Sequence, residues 1–134
     1  HYLDEGAGEV ILAVHGNPTW SFYWRKLSTT YSDRHRVVIP DHIGCGLSDK
    51  PQDWPYQLAG HRDNLVRLIE HLDLRDITLV VHDWGGMVGV GWAAPRAERI
   101  EQCVILNTAA FPIPEDKKLP FALFHRCLLE LYIA

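Results

Sequence analysis

Asp83 closes the run Leu79-Val80-Val81-His82, and the pair Gly85-Gly86 follows one residue later, after Trp84. An apolar, β-branched stretch that stops at a carboxylate and then opens into Ala, Gly and Val reads as strand, tight elbow and helix. Asp83 falls at the apex, where a side chain is lifted above the edge of a sheet. A carboxylate there is ionised at neutral pH, its ordinary pKa being about 3.9. It can attack an sp³ carbon without a base to activate it.

The elements that must hold this apex alternate along the chain. Val10 to Val14 reads as a short buried strand running into the turn His15-Gly16-Asn17-Pro18-Thr19. Trp20, Trp24, Leu27 and Tyr31 recur at helical spacing. Val37-Val38-Ile39 is a second strand, stopped by Pro40 and a glycine-punctuated loop from Asp41 to Pro51. Leu58, Leu65, Leu68, Ile69 and Leu72 form one apolar helical face. Ile77 to Val81 and Cys103 to Leu106 are two further strands, flanking a helix rich in small residues (Gly89, Gly91, Ala93, Ala94). Strands apolar throughout and separated by helices predict an α/β fold with a mostly parallel sheet covered on both faces. Past Leu106, Pro112, Pro114 and Pro120 mark a loop, and Phe121, Phe124, Leu128 and Leu131 predict an amphipathic helix.

Composition narrows the function. The 134 residues, 47% hydrophobic and 22% charged, describe one modest globular domain. A net charge of -4 without a basic stripe speaks against nucleic acid as a partner. No apolar run approaches the ~20 residues of a membrane span. Cys45, Cys103 and Cys127 are scattered without CxxC spacing, which fits a reducing, cytoplasmic compartment better than a disulfide framework or zinc site. The run Gly89 to Ala94 satisfies G-x-G-x-x-A, but it lies inside a helix and no acidic residue ends the next strand to hold a ribose. Asp83, Glu98 and the histidines lack metal-ligand spacing. No cofactor and no metal are expected, and the oligomeric state stays open.

Three segments carry a family resemblance. His15-Gly16-Asn17-Pro18-Thr19, the run from Asp41 to Pro51, and His82-Asp83-Trp84-Gly85-Gly86 stand in the order and spacing of haloalkane dehalogenase-like α/β-hydrolases. Leu106-Asn107-Thr108-Ala109-Ala110-Phe111 is most similar to the branch that includes β-lactone decarboxylases of olefin biosynthesis. The resemblance implies an α/β-hydrolase core over residues 1–111 and the start of a helical cap over 112–134. It implies that Asp83 displaces a halide, or opens a strained ring, to give an ester on the enzyme. The backbone N–H groups of Asn17 and Trp84 match the family's oxyanion hole. The side chains agree: the Trp84 indole is a pure donor, and the Asn17 amide is a second donor for the same departing anion.

Each residue has a plainer alternative. Asp83 could simply cap the following helix, Trp84 could be a core aromatic, and Asn17 an ordinary turn residue. His82 precedes Asp83 on a strand and is expected on the opposite face. Asp41 is expected to serve its turn, and His15 and His42 to make structural hydrogen bonds.

The resemblance also implies a later acid and a histidine near the C-terminus, with no matching positions here. Asn107 follows a strand where some family members carry the acid, but an amide cannot serve. The chain reads as an internal fragment, able to form an ester once and then stall for want of a base. The leading expectation is a hydrolase using an aspartyl ester on small apolar substrates with water, of haloalkane dehalogenase type. A β-lactone decarboxylase would use the same residues. An epoxide hydrolase would need cap tyrosines, of which only Tyr132 is present. A non-catalytic binding domain that kept the fold is the remaining alternative.

Overall fold

In the computed structural model, which describes residues 1–108, five strands form one sheet in the order β1-β3-β2-β4-β5. They are β1 (Tyr2–Glu5), β2 (Glu9–Val14), β3 (His35–Pro40), β4 (Ile77–His82) and β5 (Ile100–Leu106). The helices are α1 (Arg25–Tyr31), α2 (Leu58–His71) and α3 (Trp84–Ala93). Strands β2 to β5 are parallel. β1 joins the edge antiparallel to β3, with Leu3 opposite Ile39.

Both faces of the central strands are buried, which is why those strands read as continuous apolar runs. Leu12, Val14, Leu79 and Val81 pack with Leu65 and Ile69 of α2 and with Val88 and Trp92 of α3. Ile11, Ala13, Val37, Ile39 and Val80 point the other way, toward Trp24 and Leu27. The expected helix from Trp20 is shorter than its spacing implied. Trp20 is extended (φ -153°) and 40% exposed, a 3-10 turn covers Ser21–Trp24, and α1 begins at Arg25. Only Trp24 of the two tryptophans reaches the core.

The connections place the site. β2 leads through α1 to β3 on one side, whereas β4 adds on the other side of β2. The carboxyl ends of β2 and β4 therefore flank a topological switch point, the position where open α/β sheets bind ligands. The loops after β2, β3 and β4 meet there. The Gly89–Ala94 run lies in α3 and the turn after it, away from any strand-to-helix junction. No described helix is long and apolar enough to cross a membrane. The expected cap segment, 112–134, lies outside the described residues, as does Cys127.

Candidate active site

Asp83 sits between β4 and α3 with φ +52° and ψ -129°, a conformation that favours glycine. Holding a non-glycine residue there costs on the order of 1–3 kcal/mol. The bend is possible because its neighbours are small. A Cβ on Gly85 would run into the Val14 and His15 carbonyls, and one on Gly16 into the Asp83 side chain. The Thr108 hydroxyl donates to the Asp83 carbonyl and ties the elbow to the end of β5.

Asp83 holds the helix-capping position, yet its side chain makes no capping hydrogen bond to α3. Oδ1 instead accepts the backbone N–H of Asn17 at 2.9 Å. Oδ2 is buried, with no hydrogen-bond partner among the described residues. The residue is 5% exposed. The carboxylate is thus held at one oxygen, and it does not serve as the cap of α3.

Asn17 and Trp84 meet at a cleft of about 200 Å³, whose wall continues through His42, Gly44, Tyr56 and His61. Trp84 is half-buried in this wall instead of entering the core. Asn17 does belong to a turn, closed by Thr19 N–H donating to the Gly16 carbonyl, and its side chain is exposed at the cleft.

The other polar residues fall into place around this centre. His82 turns to the α1 face, where its ring stacks on Tyr23 at 4.7 Å. Asp41 is buried and accepts the N–H groups of Ser21 (2.6 Å) and Leu47 (2.9 Å), so it organises its loop. The His15 and His42 rings lie 4.4 Å apart and are hydrogen-bonded to each other's backbone. Burial lowers the pKa of His15. It lowers that of His42 to about 3, with the neighbouring His15 and His61 adding to the effect. Both rings are neutral at physiological pH.

His61 and Tyr56 were not foreseen as cleft residues. His61 is on α2, its Nδ1 is buried with no partner among the described residues, and its ring packs on Trp54 at 4.7 Å and on His42 at 5.2 Å. His61 falls outside the apolar stripe of α2, and that was the only sequence sign of its distinct environment.

A strained carboxylate between β4 and α3, facing the loop after β2 at a switch point, is the arrangement of an α/β-hydrolase. Residues 9–132 match the α/β hydrolase fold family, and the chain belongs to it. Within that family it is 54% identical over 127 residues to the cis-3-alkyl-4-alkyloxetan-2-one decarboxylase of Shewanella oneidensis, covering 92% of this chain and 40% of that protein. It is 41% identical over 112 residues to haloalkane dehalogenase 2 of Mycobacterium tuberculosis, covering 84% of this chain and 39% of that protein. Among solved structures, haloalkane dehalogenase DatA from Agrobacterium tumefaciens C58 superposes with a TM-score of 0.81 at 31% identity, over 95% of this chain and 43% of that one. The chain thus spans about 40% of the length of the curated relatives it matches.

Proposed function

We propose that this chain supplies the nucleophile and anion-binding half of an enzyme that works through an aspartyl ester. The carrying observation is the split of the Asp83 carboxylate, with Oδ1 on the Asn17 amide and Oδ2 without a partner among the described residues. Oδ2 is the attacking atom. It displaces a leaving group from an sp³ carbon, and Oδ1 becomes the carbonyl oxygen of the resulting ester. When water later attacks Cγ, negative charge collects on Oδ1, where the Asn17 N–H already points. The Trp84 N–H is the second donor, at the first position of α3, where helix amides are unpaired and the dipole favours an anion. The side chains of Trp84 and Asn17 face the departing anion from the cleft wall.

The ester needs a base to activate water. His15 and His42 are committed to backbone hydrogen bonds, and His82 is on the far side of the sheet. None of these three is assigned as that base.

Two substrate classes suit ester formation. With a small haloalkane the halide leaves, and water then frees an alcohol. With a dialkyl β-lactone Oδ2 attacks C4 and the C4–O bond breaks to leave a carboxylate on C3; that carboxylate departs as CO2 while the C3=C4 bond forms and the C4–Oδ2 bond breaks, so the olefin forms without water. The identity of 54% to an oxetanone decarboxylase, against 41–45% to dehalogenases, favours the β-lactone. The complete protein should be assayed in parallel for halide release and for olefin formation from a cis-3,4-dialkyl oxetan-2-one. Olefin formation that disappears in Asp83→Asn supports the lactone reading. Halide release alone would return the assignment to a dehalogenase, and neither activity in folded protein would leave an epoxide hydrolase or a binding domain.

A further inference from the structure

The amide that holds Asp83 belongs to the Gly16–Asn17 peptide unit. A trans peptide is planar, so its C=O and N–H point in opposite directions, and fixing one aims the other. The Gly16 carbonyl is gripped from three sides. Thr19 donates to it from its hydroxyl (3.0 Å) and from its backbone N–H (3.3 Å). The third contact is the His15 Nδ1, at 2.6 Å.

The hydrogen-bond pattern dictates the tautomers. The His42 N–H donates to His15 Nε2 at 3.0 Å, so Nε2 is an acceptor and the proton of His15 is on Nδ1, directed at the Gly16 carbonyl. The His42 Nε2 lies 3.0 Å from the His15 carbonyl, which can only accept, so His42 is the Nε2–H tautomer. Each histidine thus uses its ring on the other strand's loop, and the two bonds form a reciprocal clamp between the ends of β2 and β3. Hydrogen bonds to a carbonyl also polarise the peptide and strengthen its N–H as a donor.

We propose that His42, acting through His15, is a positioning residue that aims the Asn17 amide at the Asp83 carboxylate. The catalytic meaning of that aim rests on the nucleophile assignment above, whereas the clamp itself can be read spectroscopically. His42→Leu removes the ring donor and keeps the backbone N–H. His42→Gln places an amide NH₂ near the position of Nε2–H. His15→Gln offers no donor at the Nδ1 position, whereas His15→Asn keeps one.

In the complete, ¹⁵N-labelled protein, the two imidazoles should show the Nδ1–H and Nε2–H tautomers. His42→Leu and His15→Gln should shift the Asn17 amide resonance and speed its exchange with solvent, and His42→Gln and His15→Asn should restore it. In turnover, kcat should fall by about 10-fold, the effect of losing roughly one hydrogen bond's worth of orientation, with KM little changed. A folded His42→Leu with the Asn17 amide and kcat unmoved would overturn the proposal, as would a His42→Gln that fails to restore them. If His42→Leu does not fold, His15→Gln against His15→Asn decides by the same readouts. Should Asp83→Asn keep full turnover, the nucleophile assignment falls, and the response of the Asn17 amide still judges the clamp.

Discussion

The Asn17 backbone nitrogen lies 2.9 Å from Oδ1 of Asp83, across 66 residues of sequence and between the ends of two neighbouring strands. This bond divides the carboxylate into a held oxygen and a bare one.

The bare oxygen is expected to alkylate. With Cys45, Cys103 and Cys127 replaced by serine, incubating the 134-residue chain with a reactive 1-bromoalkane should add one alkyl group with loss of bromide, mapped to Asp83 by mass spectrometry. Asp83→Asn should take up none, and in the complete protein it should lower turnover by about 10³-fold or more. An adduct on another residue of folded protein would remove Asp83 from its proposed role.

The apex conformation predicts a variant that is more stable and inactive. Asp83→Gly relieves φ +52° and removes a buried, half-partnered carboxylate. It should stabilise the fold by about 1 kcal/mol while abolishing ester formation. Thermal melting compared with Asp83→Asn separates the backbone effect from the loss of charge, and an unchanged or lower Tm for the glycine variant would contradict it.

Gly16→Ala should do the reverse, since its Cβ would occupy the space of the Asp83 side chain. Displacing either the elbow or the Asn17 loop should cost about 1–3 kcal/mol. Urea unfolding gives the loss in stability, and a neutral result would mean that the two loops are not in contact.

How much of this was legible beforehand follows from what each feature depends on. The central strands β2, β3 and β4 announce themselves because burial on both faces leaves uninterrupted apolar residues, as in Ile77 to Val81. The apex was visible because a carboxylate followed by two glycines marks a tight bend. The antiparallel edge pairing of β1 with β3 was not legible, because in Tyr2-Leu3-Asp4-Glu5 only Leu3 is even partly buried. The His15–His42 clamp depends on β2 and β3 becoming neighbours, and nothing local to either histidine encodes that. His61 joined the cleft for the same reason, through the packing of α2 over the loop after β3.

Acid should weaken the fold through these same histidines. His15 faces Asp41, Asp83 and His42, and His42 faces His15, His61 and Asp41, yet burial dominates and both pKa values fall below the ordinary 6.5. The unfolded chain therefore takes up protons first. Their contribution to stability is complete above pH 6.5 and is lost as the pH falls toward about 3, the value for His42. Chemical denaturation between pH 7.5 and 4.5 should show stability declining with pH, less steeply in His15→Asn. His42 should show no imidazole titration in the native protein over that range.

The bend at Asp83 is made by backbone angles and by the glycines around it, and none of these depends on which side chain stands at the apex. The position behaves as a socket: a hydroxyl or a thiol could be seated there against the same sheet, loop and helix. Changing the reaction would require a new side chain at one residue and a matching partner elsewhere, with the frame left as it is.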